Sequence, residues 1–124
     1  MIKTKHFMDR VDADDGRRVW VEPIGLTKDL KEWCWVDGVL SMVGPPSALC
    51  AWLEAHPDAY EDFRGRYHEW LAKGPYRSLL EQIAHESLRE DITLLHAGDD
   101  AIRNCATALK EFITELAAYC RPDD

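Results

Sequence analysis

Two short segments are apolar over consecutive residues, and they restrict the fold of this chain more than any other feature. Residues 17–22 carry Val19, Trp20 and Val21 in succession, and residues 91–97 have the sequence DITLLHA. A strand with one face in water alternates apolar and polar residues, whereas a strand covered on both faces is apolar throughout. Both segments are therefore expected to be buried strands with other structure on each side.

Two further segments complete the expected sheet. Residues 2–8, with the sequence IKTKHFM, alternate in polarity and contain β-branched and aromatic side chains, which is typical of a strand. Residues 26–33 are interpreted as a helical turn or two. Residues 33–43 then predict a shorter strand that is interrupted at Asp37 and Gly38.

Helical patterns occupy most of the second half of the chain. Residues 44–46, Gly-Pro-Pro, end any preceding strand or helix, and Ser47 is the expected N-cap of the next helix. Residues 57–74 and 75–90 carry apolar side chains at steps of three and four, which predicts two more amphipathic helices.

A long final helix follows the last strand, and Asp99 or Asp100 is expected to cap it. The order of strands and helices predicts one α/β domain over residues 1–124. Its sheet is expected to be small and mostly parallel, with three to four strands and helices on both faces. In such sheets, ligands bind beyond the carboxyl ends of the strands. The apolar stripe of the final helix is expected to contain Ile102, Cys105, Ala106, Leu109, Phe112, Ile113 and Leu116.

The charge balance argues against several classes of function. The chain has 124 residues, of which 15 are basic and 23 acidic, and its net charge of −8 repels DNA or RNA. The N-terminal sequence MIKTKHFMDR has no apolar core like that of a secretory signal, and no apolar run approaches the roughly 18 residues of a membrane helix. The sequence therefore predicts a cytoplasmic protein that binds neither nucleic acid nor membranes.

The cysteines and glycines indicate no metal site and no cofactor site. No two cysteines form a Cys-x-x-Cys pair, so free thiols packed as small apolar side chains are expected. The sequence also lacks the glycine-rich loops that bind nucleoside triphosphates or dinucleotides. The cysteines are Cys34, Cys50, Cys105 and Cys120.

A set of short motifs occurs in the same order as in a known family. Residues 2–5, the pair Asp15-Gly16 and residues 18–21 resemble its first two strands. The strongest match is in the middle of the chain, at Pro46, Ser47, Leu49, Trp52, Leu53, His56, Pro57, Tyr60, Phe63, Arg66, Tyr67, Glu69 and Leu71. The last strand and helix match at Thr93, Leu94, Leu95, Ala97, Asp100, Asn104, Ala106 and Leu109. In this order, the motifs resemble the YeaO-like branch of the domain of unknown function 488 family.

The resemblance implies an α/β domain with no established activity, and the chain departs from the family pattern in two places. The family carries an Asp-Arg-Leu-Trp-Pro-Arg-Gly-like segment after its second strand, whereas residues 22–26 are Glu-Pro-Ile-Gly-Leu here. The family also shows a His-Asn pair at the start of its last helix, where this chain has Arg103-Asn104. A site formed by these segments is therefore altered in this divergent member.

Four polar residues follow the last predicted strand and suggest a binding site for a small anionic ligand or nucleotide. Asp99, Asp100, Arg103 and Asn104 lie near a helix N-terminus, whose backbone N–H groups favour an anion. The competing interpretation is that the aspartates are helix caps and Arg103 is a solvated ion-pair partner.

A second group of polar residues follows the ends of the predicted strands. His6, Glu22 and His96 converge if the first two strands both neighbour the last one. A histidine beside a carboxylate is the minimum for general acid–base catalysis, so these three are the candidate catalytic residues. The alternative is that they are unrelated polar residues at strand ends, and the sequence leaves open whether the chain is an enzyme.

Trp33 and Trp35 lie in the segment where the family match fails. On a strand, both would point to one side, with Cys34 opposite. Burial in the core is the default expectation for such side chains. If they are exposed, residues 23–43 predict a non-catalytic protein-interaction domain or a homodimer, because tryptophan is enriched at interface hot spots.

Overall fold

The computed structural model describes residues 1–23, 26–98 and 100–119, and this part of the chain contains a four-stranded sheet. The strands are β1 (Ile2–His6), β2 (Arg17–Trp20), β3 (Gly38–Val39) and β4 (Ile92–His96). Their order is β1-β4-β2-β3, and every neighbouring pair is parallel. All residues of β4 are buried, as its continuous apolar sequence predicts. The predicted α/β fold with a small parallel sheet is confirmed.

Five α-helices accompany the sheet within the described ranges. They are α1 (Lys28–Trp33), α2 (Ser47–Ala55), α3 (Tyr60–Lys73), α4 (Arg77–Glu86) and α5 (Cys105–Ala118). Helix α3 shows why these segments are helical: its buried residues Tyr60, Phe63, Tyr67 and Leu71 recur at steps of three and four. Helix α5 packs against β1, β4, α3 and α4. None of the described helices is both long and apolar enough to cross a membrane.

The two faces of the sheet are covered unequally. Val19, Val21 and Leu94 belong to the main core, together with buried residues of α3, α4 and α5. Trp20 and Leu95 lie on the opposite face, because successive residues of a strand alternate between faces. This second face carries a much smaller apolar cluster and thus a thinner cover. Its other members are Phe7, Leu26, Cys34 and Val36.

Between β2 and β3, the helical turns predicted for residues 26–33 are confirmed, whereas the strand predicted for residues 33–43 is shorter than expected. Residues 28–33 form α1, which Thr27 caps by accepting the N–H of Leu30 at 3.2 Å. Trp35 has a φ of 55°, which interrupts extended backbone. Of the described residues in this segment, only the two of β3 therefore form a strand that pairs with β2.

The starts of two helices also differ from the prediction. Pro46 is the N-cap of α2, and Ser47 is its first residue, without a capping hydrogen bond. Helix α5 begins at Cys105, where the side chain of Asn104 caps it. The prediction that Asp100 caps this helix is therefore wrong, and the alternative cap, Asp99, lies outside the described residues.

Candidate functional site

The three candidate catalytic side chains lie at one edge of the sheet. Strand β4 lies between β1 and β2, as their convergence required, and His6 pairs in register with His96. Their ring centroids are 5.6 Å apart, with an interplanar angle of 89°. Glu22 follows β2 and accepts the N–H of Ala97, just beyond β4, at 2.9 Å. The structure thus brings all three together, while their catalytic role stays a prediction.

Glu22 connects the end of β4 to the start of α5. Besides the Ala97 N–H, its Oε1 accepts the thiol hydrogen of Cys105, with Sγ at 3.2 Å. Burial, with the nearby Glu22 carboxylate, holds the pKa of Cys105 well above its usual value. Burial and the same carboxylate also raise the pKa of Cys50 to about 11. Both thiols are therefore protonated at neutral pH, unlike a cysteine nucleophile.

His96 is buried as a neutral imidazole. Only 3% of the residue is exposed. Burial, followed by the neighbouring His6, lowers the pKa of His96, while Glu22 acts in the opposite direction. Nδ1 of His96 lies beside the backbone of Gly98 but makes no hydrogen bond of ordinary geometry within the described residues. A buried polar atom without a partner lowers stability and is a feature expected at a functional or altered site.

The lowered pKa of His96 predicts how stability depends on pH. The unfolded chain binds a proton near pH 6.5, whereas the folded chain resists it until a lower pH. The contribution of His96 to stability is therefore complete above about pH 6.5. It is lost as the pH falls from there to the pKa of the folded chain, by up to about 1.4 kcal/mol per pH unit for one proton. Urea denaturation at a series of pH values measures this slope.

The variant His96→Gln is the control for this pH dependence. It removes the titrating imidazole, so its slope below pH 6.5 is expected to be smaller than that of the wild type. His6, Asp9 and Glu22 face His96 and remain in both proteins. Equal slopes would show that His96 does not govern the pH dependence.

A cleft of about 410 Å³ lies beside these strand ends, between β4, α5 and α2. Three carboxylates line it, those of Glu22, Glu54 and Asp100, against one guanidinium, that of Arg103. The Nε of Arg103 lies 3.3 Å from Oδ2 of Asp100 and is partly neutralised by it. The charge of this cleft is therefore not the one that an anion would select. The described residues contain no group of three or more histidine, cysteine or acidic side chains arranged to hold a metal ion.

Two of the predicted ligand-binding residues, Asp100 and Asn104, form hydrogen bonds with the backbone at the start of α5. Oδ1 of Asp100 accepts the N–H groups of Ile102 and Arg103, each at 2.9 Å. Asn104 accepts the N–H of Thr107 at 2.9 Å and donates to the carbonyl of Asp100 at 2.9 Å. The side chains of Asp100 and Asn104 therefore stabilise the turn before α5. Anion binding by Asp100, Arg103 and Asn104 stays a prediction, and Asp99 is outside the described residues.

Trp33 and Trp35 are not in the core. Trp33 is 71% exposed and Trp35 is 68% exposed, so the default expectation of burial is wrong. Cys34 and Val36, which alternate with them, are the buried residues of this segment. The left-handed backbone at Trp35 disfavours every residue except glycine, asparagine and aspartate. The chain therefore holds an indole in water at a strained position.

A buried arginine holds this segment in place from below. The side chain of Arg18 is only 3% exposed. Its guanidinium donates hydrogen bonds to the carbonyl of Trp35 at 3.1 Å and to the carbonyl of Cys34 at 3.0 Å. Its Nη1 also donates to Asp15 at 2.6 Å. Burial alone would raise the pKa of Asp15, but hydrogen bonds from Asp12, Lys5 and Arg18 lower it. The ion pair thus stays charged and fixes the backbone that carries both tryptophans.

The tryptophans form one wall of a groove of about 220 Å³, and the loop after β1 forms the other. Met8 and Val11, also in this groove, are exposed apolar residues. We call this surface the tryptophan groove. It is lined by Phe7, Met8, Asp9, Arg10, Val11, Trp33, Cys34 and Trp35. The sequence indicated such a surface only through the alternative that Trp33 and Trp35 are exposed, and nothing in the sequence indicated the role of Arg18.

Comparisons with known proteins place the chain in a family. Residues 1–123 match the family model DUF488-N3i, described as the inactive DUF488-N3 subclade. The uncharacterised protein Rv3073c of Mycobacterium tuberculosis is 26% identical over an alignment of 98 residues, and the match covers 74% of this chain and 78% of that protein. The uncharacterised protein Mb3100c of Mycobacterium bovis matches equally well. No solved structure matches this chain significantly. The chain belongs to the inactive DUF488-N3 subclade, in agreement with the resemblance to the domain of unknown function 488 family.

Proposed function

We propose that this chain is a non-catalytic protein-interaction domain whose contact surface is the tryptophan groove. The observation that carries the proposal is the exposure of Trp33 and Trp35 on a backbone fixed by the buried Arg18. A fixed surface loses little conformational entropy when a partner binds, so more of the contact energy contributes to affinity.

The size of the exposed aromatic surface supports the proposal. At their exposures, the two indoles together present on the order of 300 Å² of mainly apolar surface. The largest apolar patch on a typical monomer measures about 300–600 Å² and is often functional. Met8 and Val11 extend this area along the same groove.

The environment of the polar residues at the strand ends supports the part of the proposal that the domain is non-catalytic. Glu22 receives hydrogen bonds from a backbone N–H and from a thiol, so it serves to join β4 and α5. The thiols of Cys50 and Cys105 stay protonated because burial raises the pKa of each. The family description, an inactive subclade, agrees with this interpretation.

Replacing Trp35 by asparagine is expected to raise the free energy of unfolding by about 1 kcal/mol, because asparagine adopts a positive φ more readily than tryptophan. Little packing is lost, since the indole is mostly exposed. Urea denaturation measures the change. A stabilised variant would mean that the wild type retains Trp35 for a reason other than folding.

Trp33→Asn is the matched control for this substitution. Trp33 is equally exposed but ends α1 without a positive φ, so its replacement relieves no strain and is expected to give no gain in stability. If Trp35→Asn were clearly less stable than the wild type, the indole would be packed rather than displayed.

Binding is tested with proteins recovered on the immobilised wild-type chain, identified and then purified. Each protein is titrated with the wild type and with Trp33→Ala/Trp35→Ala. The double variant is expected to bind it with an affinity about 30-fold lower or worse, as for hot-spot residues. Leu88→Ala/Tyr119→Ala removes exposed apolar side chains outside the groove and should bind normally. Equal affinity of all three chains would contradict the proposal.

The strand-end cleft is a second candidate site, for a small ligand. The specific observation is the cleft of about 410 Å³ itself, whose lining residue Gly98 lies beside the buried Nδ1 of His96. Inorganic phosphate, nucleotides and divalent cations are the probes, and a bound ligand at 100 times its Kd would add about 2.7 kcal/mol of stability. No shift in Tm with any of them at millimolar concentration would count against this site.

A further inference from the structure

We infer that acidification weakens binding at the tryptophan groove, because a proton on His6 detaches the loop that forms one of its walls. This inference rests on the proposed interaction function and specifies how the contact surface is regulated. It follows from a single hydrogen bond, which the backbone N–H of Met8 donates to Nδ1 of His6 at 3.1 Å.

The loop after β1 provides one wall of the groove. Residues 7–11 all line it, together with Trp33 and Trp35 on the other wall. Strand β4 holds the first residue of the loop, since the N–H of Phe7 donates to the carbonyl of His96 at 2.9 Å. The position of the remaining wall therefore depends on contacts made further along the loop.

Beyond Phe7, the loop folds back on His6. The N–H of Asp9 donates to the His6 carbonyl at 3.0 Å, and a carboxylate oxygen of Asp9 accepts the His6 N–H at 3.2 Å. The imidazole of His6 accepts the N–H of Met8, which is an exposed apolar residue of the groove. The side chain of His6 thus positions the wall at Met8.

The bond between Met8 and His6 fixes the tautomer of the imidazole. A backbone N–H can only donate, so Nδ1 carries no hydrogen and the proton of the neutral ring lies on Nε2. An imidazolium carries a hydrogen on both nitrogens and has no acceptor left. Protonation of His6 therefore turns an attractive contact into two N–H groups that face each other, and the loop has to move away at Met8.

His6 is more accessible to a proton than the neighbouring ring of His96. Residue His6 is half-buried, whereas His96 is buried. Burial lowers the pKa of His96, and the nearby His6 acts in the same direction. Histidine is the side chain that ordinarily changes charge between about pH 5 and 8. Mild acid therefore acts on the ring that holds Met8 before it acts on the core.

The other titratable groups around the two rings are carboxyl and thiol groups. Asp9 in the loop and Glu22 after β2 are the carboxylates that act on His96. From α5, the thiol of Cys105 donates to Glu22, and burial holds the pKa of this thiol well above its usual value. Carboxyl groups ordinarily titrate near about pH 4, so a change from about pH 7.5 to about pH 5.5 protonates mainly histidine.

NMR spectroscopy of the isotope-labelled wild-type chain tests the switch without any partner. The nitrogen shifts of the imidazole report the tautomer of His6, and the scalar coupling from the Met8 N–H to Nδ1 reports the hydrogen bond. We expect this coupling at about pH 7.5 and its loss as His6 titrates. A Met8 amide signal that stays unchanged through the protonation of His6 would overturn the inference and leave the proposed function intact.

The effect on binding is measured with the proteins recovered on the immobilised wild-type chain. Each is titrated at about pH 7.5 and about pH 5.5, and the wild type is expected to bind about five- to tenfold more weakly at the lower pH, which is the scale of one hydrogen bond. His6→Asn should lose this dependence, because an asparagine oxygen accepts the N–H two residues further on at either pH. Circular dichroism checks that each chain is folded at both pH values.

His85→Gln is the matched control for the loss of a histidine. His85 lies on α4, outside the residues that line the groove, so this variant should keep the pH dependence of the wild type. A partner that itself titrates changes the affinity of all three chains equally, and the difference between them isolates His6. An equal pH dependence in the wild type and in a folded His6→Asn would overturn the inference alone. Recovery of no protein whose binding requires Trp33 and Trp35 would overturn the inference together with the proposed function.

Discussion

Replacing Arg18 by methionine is expected to lower the free energy of unfolding by about 3 kcal/mol, because it removes one partner of a buried ion pair. Asp15 would keep only Lys5 as a charged partner, at 3.0 Å. The carbonyls of Cys34 and Trp35 would lose the hydrogen bonds that Arg18 donates. Urea denaturation gives the stability, and amide exchange over residues 33–36 is expected to become faster.

Two further variants show whether the burial of this ion pair causes the loss. Asp15→Asn/Arg18→Met is expected to recover part of the stability, since it no longer leaves a buried carboxylate with too few partners. Arg77→Met breaks an exposed pair with Glu81, and its effect on stability is expected to be close to zero. If Arg18→Met were as mild as Arg77→Met, Arg18 would not be what holds the tryptophan groove.

Replacing Gly16 by alanine is expected to lower the free energy of unfolding by about 4 kcal/mol, from backbone strain and steric overlap together. Gly16 has φ 64° and ψ −135°, a conformation that side chains rarely adopt. Its Cβ would lie 2.1 Å from the carbonyl oxygen of Asp91, which accepts the N–H of Arg17 at the start of β2. The overlap therefore displaces β2 or β4 where they pair.

The same substitution at Gly65 is the matched control and is expected to act in the opposite direction. Gly65 lies inside α3, and a Cβ there has no atom within 4 Å. Alanine is a better helix former than glycine by about 1 kcal/mol, so Gly65→Ala should stabilise the chain. Thermal and urea unfolding measure the stability of both variants. Changes of the same sign for Gly16→Ala and Gly65→Ala would contradict this explanation.

Much of the fold is predictable because its signals are local. Strand β4 and the pair Val19-Trp20 of β2 are mainly apolar in sequence, and α3 repeats its apolar residues at helical spacing. The approach of His6 and His96 also followed from the sequence, on the condition that β4 lies beside β1. The strand order that satisfies this condition depends on packing across the whole chain and has no local signal.

The features that the sequence did not predict depend on tertiary contacts. Asp100 and Asn104 have equivalent capping chemistry, so composition could not decide that α5 begins after Asn104. Tryptophan is usually buried, and the exposure of Trp35 depends on its backbone conformation. The role of Arg18 depends on hydrogen bonds to backbone carbonyls, which any residue type can offer.

The most direct test of the interaction function is a calorimetric titration of a purified protein, recovered on the immobilised wild-type chain, into the wild-type chain and into Trp35→Asn. The substitution is expected to preserve the fold, because it replaces an exposed side chain and relieves backbone strain. We predict that the variant binds about 30-fold more weakly or worse. Wild-type affinity in a folded Trp35→Asn would contradict the assignment of the tryptophan groove as the contact surface.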